Sequence, residues 1–154
     1  MATTLTLTHP LINSGLPVRV LGGRLTISGK KNVVATPNAY LNGTQAEVQT
    51  ESVENLKYVV NGVYFTNESG VLTYPMLLEL YRRRYGGSGV TGADQAIVLT
   101  ATYGRPGSTS NLVSFDGTTT DIDVILESFT FIIDMKDTKD GYIPSCTITF
   151  VETA

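Results

Sequence analysis

The chain has 154 residues, 42% apolar and 16% charged, with a formal net charge of −3, one histidine, one cysteine and no tryptophan. This balance describes one folded domain, residues 1–154, able to bury about 70% of its unfolded surface, and it excludes a disordered chain. The acidic balance excludes a phosphate-gripping surface, which needs a basic stripe, and the lone cysteine excludes an internal disulfide framework.

No apolar stretch follows a basic region at the N-terminus, and no run approaches the ~18 apolar residues of a membrane span. The expectation is a soluble protein made in the cytoplasm, without membrane insertion. The sequons Asn42-Gly-Thr44 and Asn67-Glu-Ser69 are then coincidental.

In chain order, Thr3-Leu-Thr-Leu-Thr-His9 alternates polar and apolar up to Pro10. Residues 1–14 read as an N-terminal arm, extended or an edge strand, with loose first residues. Val18 and Val20 then share one parity, and Leu25 and Ile27 the other. A glycine bulge at Gly22-Gly23 would keep both pairs on the core side, because a one-residue slip turns every side chain over. Residues 28–50 begin with the least regular stretch, which carries Pro37, Asn42-Gly43 and scattered Val33, Val34, Tyr40 and Leu41. The reading is a long loop whose apolar residues pack on something, another subunit included. Ala46 and Val48 resume strand alternation.

Leu56-Lys-Tyr-Val-Val-Asn61-Gly62-Val-Tyr-Phe predicts a two-residue hairpin, since a type I′ turn needs positive φ at both centres. The rival reading has Asn61-Gly62 closing a looser turn. Residues 73–85 form the one predicted helix. Thr73 caps it, Pro75 sits in the first turn, and Gly86-Gly87 end it. Tyr74, Leu77, Leu78 and Tyr81 make its apolar face. Arg82-Arg83-Arg84 complement the dipole in the last turn, with an anion-binding patch as the alternative.

Ile97, Leu99, Ala101 and Tyr103 then share one face of a strand that turns at Gly104-Arg-Pro-Gly107. Ile122, Val124 and Leu126 share a parity that flips to Phe129, Phe131 and Ile133, which predicts a bulge near Glu127-Ser128. Asp137–Gly141 reads as a hairpin turn into a last strand where Tyr142, Cys146, Ile148 and Phe150 alternate. The expected fold is mainly β: a β-sandwich or partly closed barrel with one flanking α-helix.

Catalytic chemistry finds little purchase. Asp116, Asp121 and Asp123, and then Asp134, Asp137 and Asp140, are carboxylate clusters, but their spacing fails the EF-hand pattern and reads as solvated turns. His9 before Pro10 is a poor place for a positioned base, and Cys146 reads as a small buried hydrophobe. No Gly-x-Ser-x-Gly or Walker-type loop is present. No catalytic residue, metal or cofactor is expected, and the chain is read as a binding or building element rather than an enzyme. A carbohydrate-binding β-sandwich module is one such element, though those present aromatic platforms and this chain lacks Trp.

The order of features resembles a known family. Gly22-Gly-Arg-Leu-Thr-Ile-Ser-Gly-Lys-Lys31 is followed by an irregular loop and then by Asn55-Leu-Lys-Tyr-Val-Val-Asn-Gly-Val63. A single helix segment, Leu72-Thr-Tyr-Pro-Met-Leu-Leu-Glu-Leu-Tyr81, comes next, then Ser114-Phe-Asp-Gly-Thr-Thr119 and the terminal Ile148-Thr-Phe-Val-Glu-Thr153. This is similar to the major tail tube proteins of tailed viruses and the tubes of contractile injection systems. The resemblance implies hexameric rings that stack into a hollow tube, with neighbouring sheets joined into an inner wall. It also implies a place in the virion tail, contacts with other tail proteins, and DNA passing through the lumen without specific binding. Leu5 and Leu7 of the arm and Val33, Val34, Tyr40 and Leu41 of the loop become the candidate assembly interface. Distal-tail and terminator rings, and injection-system tubes, are the related alternatives.

Overall fold

The computed structural model describes residues 4–37, 46–135 and 144–153. Among these the strands are β1 Thr4–Thr8, β2 Val18–Arg19, β3 Arg24–Ser28, β4 Lys31–Pro37, β5 Ala46–Val53, β6 Lys57–Val63, β7 Ile97–Arg105, β8 Ser108–Asn111, β9 Ile122–Ile132 and β10 Ser145–Glu152. One α-helix, α1 Tyr74–Arg82, lies between β6 and β7. The main antiparallel sheet runs β2-β1-β7-β9-β10-β6-β3, with β8 paired to β7, and β4 and β5 form a separate ribbon. The fold is mainly β with one helix, consistent with a β-sandwich, and it is not a closed barrel.

The two ends of that strand order are consecutive in the chain. Between β2 and β3, Val20 donates its N–H to Leu5 (2.9 Å), Tyr64 donates to the carbonyl of Leu21 (2.9 Å), and Gly23 donates to Asn61 (3.2 Å). Gly22-Gly23 is therefore a corner carrying the chain from one end of the sheet to the other, not a bulge within one strand. The corner is tight: a Cβ on Gly22 would stand 3.1 Å from the Cα of Val63.

Strand alternation builds the core, because successive side chains leave opposite faces. Leu5 and Leu7, Ile97, Leu99 and Ala101, and Cys146, Ile148 and Phe150 are all buried. Each large aliphatic or aromatic side chain so placed stabilises by roughly 1.5–3 kcal/mol relative to exposure. The predicted bulge in β9 is present: Thr149 faces Ser128 while Phe150 faces Leu126, leaving Glu127 as the extra residue. It lets Ile122 and Val124 and, past the flip, Phe129 and Phe131 all contribute to the core side. Ile133 lies beyond β9 and is exposed, as is Tyr103 on β7.

The hairpin expected at Asn61-Gly62 is not formed. Cys146 pairs with Val63 and Ile148 with Val60, so Asn61 and Gly62 together oppose Thr147. Gly62 takes φ +75° inside β6, as a glycine bulge needs. Both motifs ask for the same backbone conformation, and it is β10, lying alongside the whole segment, that makes this one a bulge.

Helix α1 starts where expected, with Thr73 extended at the N-cap position and Pro75 in the first turn, but the Thr73 side chain makes no capping hydrogen bond, and the helix ends at Arg82 with Arg83 already extended. Beyond it, Gly86 donates to the carbonyl of Asp94 (3.0 Å), which directs the chain toward β7. The buried stripe is Leu77 and Leu80, so the helix is turned relative to the predicted face, and Leu78 is only half-buried. Tyr74 and Tyr81 instead pack their rings on β9: Tyr74 is 5.0 Å from Phe131, and Tyr81 meets Phe129 edge-on at 5.2 Å between centroids.

Candidate assembly surface

Residues 28–50, read from sequence as an irregular loop, contain β4 and the start of β5, which pair antiparallel. Ser28 pairs with Lys57 at the end of the β3–β6 ladder, Glu54 donates to the carbonyl of Lys30 (2.8 Å), and Lys31 pairs with Val53. The β4–β5 ribbon thus continues the β3–β6 pair away from the main sheet. Its register runs Asn32↔Ser52, Val33↔Thr50 and Val34↔Gln49, with Glu51 as an extra residue.

Alternation puts Val33 and Val34 on opposite faces of the ribbon. They are 51% and 41% exposed, and Val53 is 47% exposed. Val33 and Val34 are adjacent in the chain and both exposed, so no period of two marks them as a strand with one buried face. Tyr40 and Leu41 lie outside the described residues.

The other half of the expected interface is corrected. Leu5 and Leu7 are buried, and β1 lies between β2 and β7 rather than at an edge. The N-terminal arm is therefore an interior strand from Thr4 onward, and these two side chains pack this chain's own core. Ile12 and His9 are buried with them. The sequence offered a signal here: a strict Thr-Leu-Thr-Leu-Thr alternation suits a strand with one face in the core.

The arginine cluster is partly neutralised. Glu79 receives hydrogen bonds from both Arg82 and Arg83, and the Arg83 bond is the larger cause holding the Glu79 carboxyl below its usual range. Arg84 is exposed. The first carboxylate cluster serves turns: Asp116 accepts Thr118 N–H (3.0 Å) and is held at a pKa of about 2, chiefly by the Ser114 hydroxyl, while Asp121 accepts the Thr100 hydroxyl (3.3 Å). Asp134 is exposed, and Asp137 and Asp140, with the expected turn at Asp137–Gly141, lie outside the described residues. Among the described residues no group of three His, Cys, Asp or Glu side chains could hold a metal ion. No helix there is long and apolar enough to cross a membrane.

Cys146 is buried as expected, and burial pushes its thiol up to about 11. A second exposed feature was not anticipated. Phe115 is 60% exposed at the tip of a turn in which Ser114 and Gly117 are bonded (2.8 Å), and buried Glu152 grips its backbone N–H. Glu152 falls on the same parity as Cys146, Ile148 and Phe150, and a carboxylate at such a core position signals a bound donor. Tyr85, Asp121 and Glu152 line an open, acidic cleft beside this turn.

No protein-family model matches the chain, and no curated protein sequence matches it.

Proposed function

We propose that this chain is a structural subunit that assembles into stacked, hexameric rings forming the hollow tail tube of a virus, a passive conduit for DNA during delivery. The observation that carries this reading is the β4–β5 ribbon. A two-stranded ribbon with valines exposed on both faces is marginal in water by itself and gains by lying between neighbours. Ring closure and stacking would supply them, and would also cover the β3 and β8 edges of the sheet. The tail-tube resemblance of the sequence says which assembly to look for.

A structural role also suits the placement of the reactive side chains. The single histidine and single cysteine are both buried, and Asp116 is spent inside its own turn. The subunit would be made in the host cytoplasm and end in the virion tail, against other tail proteins. The net charge of −3 and the pairing of Arg82 and Arg83 with Glu79 favour DNA passage without retention, because a cation already paired with a carboxylate neutralises no phosphate and releases no counterion.

Negative-stain electron microscopy of the purified chain tests the reading. Tubes of stacked rings are expected; isolated rings would move the assignment to another tail ring component. A sedimenting monomer at high concentration would overturn it. Labelled DNA titrated into the assembled protein at ~0.15 M salt should show no binding, since affinity from phosphate contacts falls steeply with salt and the acidic net charge supplies little of it to begin with.

A further inference from the structure

His9 ends the region of β1, and its side chain is 1% exposed. Both ring nitrogens are engaged. Nδ1 accepts the backbone N–H of Leu11 at 3.2 Å, and Nε2 lies 3.2 Å from the carbonyl oxygen of Gln95, just before β7. A carbonyl only accepts, so Nε2 carries the proton, and the neutral Nε2–H tautomer satisfies both contacts.

The chain that follows is strained. Asn13 and Ser14 hold φ of 48° and 56°, in the left-handed region that side chains resist, and Gly15 follows at 83°. Two non-glycine residues in succession persist there only if their surroundings over-determine the turn. The surroundings include Ile12, buried and donating to the His9 carbonyl (3.2 Å), the Gly15 to Ile12 bond (2.9 Å), the Leu16 to Asn13 bond (3.0 Å), the Asn13 side chain donating to the Pro17 carbonyl (3.4 Å), and the His9 ring itself.

We infer that His9 is an acid-sensitive latch, which holds the strained Pro10–Leu16 turn and the end of β1 against the start of β7 while neutral and releases them when protonated. A proton on Nδ1 replaces the acceptor of the Leu11 N–H with a second donor, so two donors face each other. It also places a cation in the core edge without a carboxylate of its own. The charged groups bearing on the ring are Arg83 and Glu79 at the end of α1, and these are already bonded to each other. The ring's two hydrogen bonds are to the Gln95 carbonyl just before β7 and from the Leu11 N–H in its own turn.

Burial, ahead of these charges, lowers the affinity of the latched ring for a proton. The released state binds one with ordinary affinity, at a pKa near 6.5. The latch is therefore at full strength above that pH and weakens as pH falls below it. With one proton taken up on opening, the opening constant grows by at most about tenfold per pH unit. This device depends on the fold of the single subunit, whatever it assembles into.

Amide hydrogen exchange at pH 7 and pH 5, corrected for the intrinsic rates, tests it on wild type and on His9→Gln, whose amide donates to Gln95 but does not titrate. In wild type, peptides spanning residues 4–16 should lose protection toward pH 5 while β10 keeps its own; in His9→Gln protection over 4–16 should be the same at both pH values. Unchanged wild-type protection, or a His9→Gln variant that loses protection in parallel, would overturn the latch. If the variant does not fold, the wild-type His9 ring resonance decides: a titration midpoint below 6.5 supports the latch, and one at or above it refutes it.

Discussion

Glu152, at the end of β10, accepts the backbone N–H of Phe115 with both carboxylate oxygens, at 3.0 and 3.1 Å. The same carboxylate accepts the hydroxyl of Tyr58 on β6 at 3.4 Å, and the residue is only 6% exposed. One buried side chain thus ties the last strand to a neighbouring strand and to a surface turn. The turn closes on itself through Asp116, leaving the Phe115 ring outward on a rigid mount, so that little ordering entropy is lost if a partner covers it.

Glu152→Ala removes the acceptor of two donors and should destabilise the chain by about 1.5–3 kcal/mol, the range for hydrogen bonds to a charged group. Urea unfolding measures the loss, and amide exchange should rise at Phe115 before it rises in β10. A variant as stable as wild type, with Phe115 still protected, would show that the turn holds itself.

Two glycines should rank by their surroundings. Gly62→Ala meets only ordinary contact with Gly23 (3.5 Å), so its cost is the left-handed conformation, about 1–2 kcal/mol. Gly104→Ala adds to a φ of 117° a Cβ placed 2.6 Å from the carbonyl oxygen of Ser108, and backbone cannot yield cheaply there. It should cost more than Gly62→Ala in the same denaturation experiment. The reverse order would contradict the turn geometry of β7 and β8.

The double substitution Val33→Asp with Val34→Asp places charge on both faces of the ribbon. Because both side chains are exposed, thermal unfolding should move little, by no more than about 0.5 kcal/mol in stability. Assembly scored by microscopy should be lost. Tubes that persist in the variant would place the contact elsewhere, with Phe115 the next residue to replace.

Tyr58 gives a pH dependence at the alkaline end. Burial first, and then the charge and hydrogen bond of Glu152, push its hydroxyl up to about 12 from an ordinary value of 10. The folded state keeps this proton more tightly than the unfolded chain, so its contribution is complete below pH 10 and is lost as pH rises toward 12. Tyr58→Phe should flatten that part of the curve when denaturant midpoints are compared at pH 8 and 11. Equal slopes for wild type and variant would refute the coupling.

Much of this architecture was legible because a buried face imposes a period of two. The bulge at Glu127 could be placed from the parity switch between Leu126 and Phe129, and the burial of Cys146, Ile148 and Phe150 from their alternation. The ribbon escaped because Val33, Val34 and Val53 are all exposed, so no buried face constrained the order of Val33 and Val34. For Leu5 and Leu7 the alternation shows one buried face, but position near a terminus does not show that β2 and β7 of the same chain, rather than a neighbour, would flank it.

The residues by themselves determined a mainly β chain with one helix, since alternation, turn residues and composition are local properties. Only the tertiary structure decided that Asn61-Gly62 is a bulge and Gly22-Gly23 a corner, because the same glycine conformations serve hairpin, bulge or corner until a partner strand is present. It also decided that His9 and Glu152, two polar residues, belong inside. Their partners, the Gln95 carbonyl and the Phe115 N–H, are distant in the chain, and a buried polar group is tolerated only where such partners converge.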